Sequence, residues 1–279
     1  MNIIKFKATK NDEGRTLFKY LIKQLDNVPI SVIEKLFRIK DIKINGKKTN
    51  NKSYSLIAGD EVIVYGIKDS QTKVLYSTPI KFRIIYEDKN ILVIDKPINV
   101  SMHGFVDCLD NQVLTYLNYQ HSDSFKPASI GRLDRSTSGL VIYAKTYQAL
   151  VQLNEKINKI EKYYLLKSDF PWNKKEVTFY GRKNIKTHRM ELFNKKPGIK
   201  MQTIFFIDDN KKYAKILTGK KHQIRLSLSY LGFPIYGDKK YSGRFDKRVY
   251  LHSYKVIFHS LEKELEYLND TQFVCDIKW

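Results

Sequence analysis

One carboxylate in this chain is set among groups that could make it reactive. Asp134 lies in Gly131-Arg132-Leu133-Asp134-Arg135-Ser136-Thr137-Ser138-Gly139-Leu140, between two guanidinium groups and ahead of three hydroxyl residues. A carboxylate in such a setting can act as a nucleophile or as a base. The run Leu140-Val141-Ile142-Tyr143-Ala144, ending at Lys145, has the length and branching of a buried strand. Asp134 is therefore expected on a loop that enters a core strand, where a rigid scaffold fixes a functional side chain. A plainer reading is a solvated Arg–Asp–Arg cluster worth roughly 0–1 kcal/mol. On these residues alone the two readings stand level.

Two further segments offer chemistry. Lys162-Tyr163-Tyr164 places an amine and two phenols together, and Thr218-Gly219-Lys220-Lys221-His222-Gln223-Ile224-Arg225-Leu226 ends in a cation. A helix starting near His222 carries Arg225 in its first turn, rigidly placed. Nothing in the sequence calls for a bound metal or cofactor. There is no G-x-x-x-x-G-K-[ST] loop and no G-x-G-x-x-G, and the six His and two Cys lack zinc spacing.

The elements that must hold these residues divide into two parts. Residues 1–66 read as a small basic α/β module. Leu17, Phe18, Leu21, Ile22 and Leu25 recur at helical spacing. Ser31-Val32-Ile33-Glu34 reads as a capping box opening a second helix that buries Val32, Leu36 and Phe37. Asn45-Gly46 marks a tight hairpin, and Glu61 to Tyr65 a strand. Lys35, Arg38, Lys40, Lys43, Lys47 and Lys48 gather on the second helix and hairpin, as an RNA-binding surface or as a solvated charged face. Residues 67–80 lack periodicity and read as a linker. From residue 81 to 279, hairpins at Phe82–Asp95 and Thr203–Leu217, with helices at about 147–158 and 221–231, predict an α+β domain with a mixed, mainly antiparallel sheet.

Composition narrows the partners. Lys and Arg number 50 against 29 Asp and Glu, giving a net charge of +21, which calls for a polyanionic partner. No apolar stretch approaches the ~18 residues of a membrane span, and Met1 to Lys10 lacks the apolar core of a secretory signal. Two cysteines, Cys108 and Cys275, cannot build a disulfide framework and suit a reducing cytoplasm.

The Asp134 segment resembles the R-L-D-x-x-T-S-G signature of RluA-type pseudouridine synthases. Ile91-Leu92-Val93-Ile94-Asp95-Lys96-Pro97 with His103-Gly104, the K-x-Y element at Lys162, the T-G-x-x-H-Q-I-R segment, Gly237-Asp238-Lys239-Lys240-Tyr241 and Leu251-His252 follow in the family's order. The N-terminal part resembles the S4 RNA-binding module. Gly131 departs from the pattern, standing where the RluA type usually has His, and Asp95, Lys220-Lys221 and Ser227 depart too. Some G-R-L-D and G-K-x-H-Q features also occur in the sister RsuA type.

The resemblance implies a pseudouridine synthase fold and a cofactor-free isomerase that converts uridine to pseudouridine in RNA. Asp134 is then the catalytic carboxylate, Arg225 its ion-pair partner, Tyr164 the residue that stacks on the target base and whose phenol would assist proton removal at C5, and Arg132 a residue that fills the gap left by a flipped nucleotide. Lys96 and His103 would shape the loop or touch phosphate. The nearest pattern is the RluC branch, which implies a monomeric cytoplasmic enzyme acting on large-subunit (23S) ribosomal RNA or a pre-ribosomal particle. Two rivals are a non-catalytic RNA-binding assembly protein on the same fold, and a glycosidase. The second would need two opposed carboxylates, and only one lies in a motif.

Overall fold

In the computed structural model, which describes residues 2–67, 77–119, 125–183, 190–193, 195 and 198–279, the strands form two sheets. The first is built from β1 (Ile3–Lys7), β2 (Ile42–Ile44), β3 (Lys47–Lys48) and β4 (Glu61–Tyr65), in the order β1-β4-β2-β3. Helices α1 (Leu17–Gln24) and α2 (Ile30–Arg38) share its core, where Leu17, Tyr20, Leu21, Ile33, Phe37 and Val62 are buried. The β2–β3 turn has Asn45 at φ 47° and Gly46 at φ 81°, the two positive values a tight hairpin turn needs. The Asn45 side chain ties that turn to β4 by donating to Asp60 (2.8 Å) and accepting from the Glu61 amide (2.9 Å).

The capping box expected at Ser31 does not form. Helix α2 starts two residues earlier, after Pro29, whose carbonyl accepts from the Val32 and Ile33 amides. That start turns Ile33, Leu36 and Phe37 inward, and leaves Val32 40% exposed instead of buried. Glu34, the expected box partner, pairs with Lys52 at 3.3 Å.

Of the expected linker, residues 68–76 lie outside the described residues. Ile67 is buried in the first core, and Thr78 is buried beside α3 (Leu109–Tyr116) in the second part, its amide donating to Thr115 Oγ1. The two parts also touch directly. The Arg15 guanidinium lies 4.5 Å from the Tyr147 ring centroid, and Gln148 donates to the Lys10 carbonyl.

The second sheet contains β5 (Arg83–Glu87), β6 (Ile91–Lys96), β7 (Ala128–Ser129), β8 (Ser138–Ala144), β9 (Ile160–Leu166), β10 (Lys174–Lys183), β11 (Met190–Phe193), β12 (Ile199–Asp208), β13 (Lys211–Ile216), β14 (Leu251–Phe258) and β15 (Gln272–Val274). Its order is β11-β10-β12-β13-β9-β14-β8-β6-β5, with β15 added to β14 and β7 to β8. Every pairing is antiparallel except β14 with β8. This is an α+β fold with a mixed, mainly antiparallel sheet, as expected from the hairpin pattern.

Helices cover the sheet where the motifs lie. Helix α3 packs on Leu92, Ile94, Val141 and Tyr143, while α4 (Tyr147–Glu155) packs on Ile91, Val93, Leu140 and Ile142. Strand β8 is therefore buried along its whole length, which explains its unbroken apolar run. Helix α5 (Gln223–Tyr230) sets Ile224 and Leu228 against Tyr164, Phe205 and Ala214. The loop carrying Asp134 enters β8 between these two regions. Leu133 packs against both, so the residue before Asp134 pins the loop to two separate cores.

The parallel join of β8 to β14 demands a glycine. Gly139 has φ +107°, and a Cβ there would meet the Ser253 carbonyl oxygen at 2.3 Å. Backbone cannot yield as a flexible side chain does. Gly139→Ala should cost at least the ~1–3 kcal/mol of a strained backbone conformation, read as a lower urea midpoint. An unchanged midpoint would show that the strands can separate freely at this point.

Candidate active site

Asp134 faces a cavity of about 390 Å³ between its own loop, β9 and the start of α5. That volume is in the range of small-ligand sites. Arg132, Asp134, Lys162, Tyr164, His222 and Arg225 are among its lining residues. Three segments far apart in sequence meet here because β9 and β14 are neighbours in the sheet and α5 lies over them.

The geometry turns on Arg225. Its Nη1 donates to Asp134 Oδ2 at 2.9 Å, while Nε and Nη2 donate to the two oxygens of Asp238 at 2.7 and 2.8 Å. Asp238 is 1% exposed and Arg225 6%. A bidentate pair fixes the plane of a guanidinium as well as its position. Asp238 thereby aims the one remaining edge of Arg225 at Asp134. Both carboxylates raise the guanidinium's pKa against the opposing effect of burial, so it stays charged. In the sequence Asp238 stood inside Gly237–Tyr241 with no role given to it; its signal was a lone acidic residue in a basic segment.

His222 stands beside the pair. Its Nε2 lies 3.5 Å from Asp134 Oδ1 and its Nδ1 2.6 Å from Tyr241 Oη. Burial, helped by Arg225 and nearby lysines, outweighs the attraction of Asp134 and lowers its pKa to about 4. The ring is neutral at pH 7. With Nε2–H toward the carboxylate, Nδ1 accepts from the tyrosine hydroxyl. His222 also delays the start of the expected helix: it has φ 57° and precedes α5, placing Arg225 at the third helical position. Gln223 anchors that first turn. Its Nε2 donates to the Gln202 carbonyl and Thr203 Oγ1, and its Oε1 accepts from Thr218 Oγ1 and the Lys220 amide.

The loop itself is braced from β6. Lys96, fully buried, donates through Nζ to the carbonyls of Pro97 and Val100, both at 2.9 Å. The segment it holds then meets the Asp134 loop, since Arg135 Nε donates to the Asn99 carbonyl and the Asn99 amide to the Arg135 carbonyl. Lys96 thus shapes loop backbone. His103 lines the cavity and is exposed.

Tyr164 and Tyr163 point opposite ways from β9. Tyr164 is 8% exposed and lines the cavity; burial and the charge of Asp134 push its pKa up, keeping the phenol neutral. Tyr163 lies on the other sheet face, donates to Glu161 at 2.6 Å, and has the Lys255 amine 4.6 Å from its ring centroid. Arg132 is exposed at the cavity mouth.

The other candidates form a separate group. Lys35, Arg38, Lys40, Lys47 and Lys48 are exposed on α2 and the β2–β3 hairpin, and Lys43 is half-buried with its amine 5.4 Å from the Tyr65 ring centroid. A groove beside α2 is lined by Ser31, Lys35, Arg38, Asn50 and Lys52.

Asp95, His252 and Cys275 also come together in the second sheet, close enough to suggest a metal site. The imidazole is already committed. Its Nε2 lies 2.8 Å from the Cys275 carbonyl, which can only accept, so Nδ1 accepts from Ser138 Oγ at 2.8 Å. Burial drives the Cys275 thiol up to about 12, away from the thiolate a metal requires. The set does not fit a cation.

The clamp sets two expectations. Asp238→Asn removes one charge of a buried pair and should cost about 3–5 kcal/mol of stability, measured by urea unfolding; a loss below 1 kcal/mol would mean Arg225 is held by other contacts. His222 has its folded pKa near 4, below the unfolded value near 6.5. The unfolded chain therefore binds the extra proton between those values. Its contribution to stability is complete above pH 6.5 and declines as pH falls toward 4. Urea midpoints of the native protein and His222→Gln should converge over that interval. Parallel profiles would place the imidazole in water.

Comparison with known proteins agrees with this architecture. The sequence profile of the RNA pseudouridylate synthase family matches residues 90–230. An uncharacterized RNA pseudouridine synthase of Mycoplasma capricolum is 38% identical over 99% of this chain and 98% of its own length. Ribosomal large subunit pseudouridine synthase C of Escherichia coli is 29% identical, covering 86% of this chain and 81% of its own. Among solved structures, human RNA Pseudouridylate Synthase Domain Containing 1 shares the fold with a TM-score of 0.54 at 19% identity, over 75% of this chain and 94% of that one. With its profile match spanning the Asp134 loop, β9 and α5, this chain belongs to the RNA pseudouridylate synthase family, whose members are isomerases.

Proposed function

We propose that this protein isomerises specific uridines to pseudouridine in structured RNA, with Asp134 as its catalytic carboxylate. The observation that carries the reading is Arg225 Nη1 at 2.9 Å from Asp134 Oδ2, in a cavity that also receives Tyr164. The reaction breaks the C1′–N1 glycosidic bond, turns the base, and rejoins it through C5. Asp134 serves either by attacking C1′ or by taking the 2′ proton. The guanidinium beside it gives the carboxylate a charge-assisted hydrogen bond that fixes its place for either role.

Tyr164 stacks on the uracil ring. Such stacking is worth roughly 1–3 kcal/mol per base, comparable to the few kcal/mol spent in flipping a base from a stem. Arg132, at the mouth, fills the gap the base leaves. Lys35, Arg38, Lys40, Lys43, Lys47 and Lys48 hold RNA phosphates. Residues 1–66 then act as an S4-like RNA-binding domain ahead of a catalytic domain over 81–279, and the excess of cations supports RNA as the partner. Relatives named ribosomal large subunit pseudouridine synthase C support large-subunit ribosomal RNA as the target, and the RluC branch as the nearest subgroup. We place the enzyme in the cytoplasm as a monomer; among the described residues no helix is long and apolar enough to cross a membrane.

Tritium release from C5-labelled ribosomal RNA reads the reaction. Asp134→Asn should abolish release while leaving folding and RNA affinity intact; release at the native rate would remove Asp134 from the mechanism. The module can be tested separately. Lys47→Ala and Lys48→Ala should each reduce the slope of log affinity against log salt by about 0.7–0.9, with single-turnover rate at saturating protein unchanged. An unaltered slope would leave these lysines off the RNA.

The paired tyrosines discriminate the base contact. Tyr164→Leu should weaken capture of the flipped base by ~1–3 kcal/mol, and Tyr163→Phe should leave kinetics unchanged. The reverse pattern would move the stacking surface to the opposite sheet face.

A further inference from the structure

A further cation reaches the cavity from β9. Lys162 sits two residues before Tyr164 on β9, so both side chains leave the same face of the strand, and both line the cavity with Asp134. Among the described residues, no hydrogen bond or ion pair engages its Nζ. The amine lies under the Asp134 loop, 3.4 Å from where a Cβ of Gly131 would stand. Behind it is a hollow of about 30 Å³ lined by Gly131, Leu140, Ile142 and Tyr164, roomy enough for about one water. A Cβ at 131 would stand at ordinary van der Waals distance from the amine.

The setting decides the charge of this group. Desolvation brings its pKa down to about 8. The carboxylate of the cavity is engaged by Arg225 and lies next to His222. Around the rest of the cavity stand Arg132 and Arg135 of the loop and Lys220 and Lys221 before α5. Tyr164 is a neutral phenol and His222 a neutral imidazole, both shifted away from proton exchange near neutral pH. His103 lines the outer rim. Burial brings Lys162 toward proton exchange just above neutral pH, and its neutral amine is a base.

The isomerisation proposed above needs such a base at its last step, and on that reading we propose that the Lys162 amine removes the C5 proton after the new C1′–C5 bond has formed. The C5–H bond breaks, its electron pair restores C5=C6, and the C6=N1 pair returns to N1. The proton passes to Nζ. N1 gains a proton from the resulting ammonium or from water, so the atoms and charge of the nucleotide are unchanged.

The test is single-turnover conversion of a ribosomal RNA transcript carrying either hydrogen or deuterium at C5 of uridine. Lys162→Met should slow conversion by about 10²–10⁴-fold, the usual contribution of a general base, and should enlarge the C5 isotope effect over that of the native protein. Lys162→Arg keeps a cation but cannot give it up, and should be as slow. An unchanged rate, a slowed rate without a larger isotope effect, or recovery by arginine would each overturn the assignment in favour of a charge or packing role. Should both variants fail to fold, the native protein still decides: its rate on deuterated RNA should rise to a plateau with a midpoint near pH 8, and a rate flat from pH 6 to 9 would overturn the proposal. Native protein that makes no pseudouridine in any ribosomal RNA contradicts the proposed function itself; native turnover with an unaffected Lys162→Met contradicts only the base.

Discussion

A guanidinium shared between two carboxylates is the constraint around which this molecule is arranged. Arg225 gives two donors to Asp238 and one to Asp134. A buried cation with one partner would be costly; with two it is stable and has a single orientation. The asymmetry of the sharing matters. Asp238 is enclosed and takes the bidentate contact, so it sets direction, while Asp134 takes one hydrogen bond through Oδ2 and has Oδ1 beside His222. Much of the surrounding structure keeps that arrangement in place. Gln223 ties the first turn of α5 to β12, Leu133 pins the loop to two cores, and Lys96 with Arg135 fixes the backbone on the loop's other side.

The same fold explains why one sheet can serve a core and a reaction together. Strand β9 is central, between β13 and β14, and is held on both edges. Its alternation sends Lys162 and Tyr164 to the cavity and Tyr163 to the opposite face. A strand locked on both sides cannot slip register without moving both neighbours. The amine and the phenol therefore keep fixed places relative to Asp134, although no bond joins them to it.

Local patterns exposed much of this in the sequence. The unbroken apolar run before Lys145 announced β8, and Asn45-Gly46 announced its hairpin. What stayed hidden depended on contacts distant in sequence. Asp238 needs α5 folded against it before its role exists. Helix α3 was missed because polar positions interrupt its apolar ones; buried Gln112 turns out to bridge the Lys81 amide and the Asp107 carbonyl. The phase of α2 was misread because Ser31 and Glu34 fit a capping pattern that Pro29, two residues earlier, pre-empts. Lys162 was legible as part of K-x-Y but not as an unpaired amine, since pairing is a property of the assembled cavity.

If the clamp delivers Asp134 to the sugar of a flipped uridine, a crystal structure of Asp134→Asn bound to a target RNA stem-loop tests it most directly. The uridine should lie out of its stem and against Tyr164, with an atom of the residue-134 side chain about 3–3.5 Å from the sugar at C1′ or its 2′ hydrogen. Arg225 should remain on Asp238. A uridine bound elsewhere, or a residue 134 turned away from the ribose with the clamp intact, would contradict that delivery.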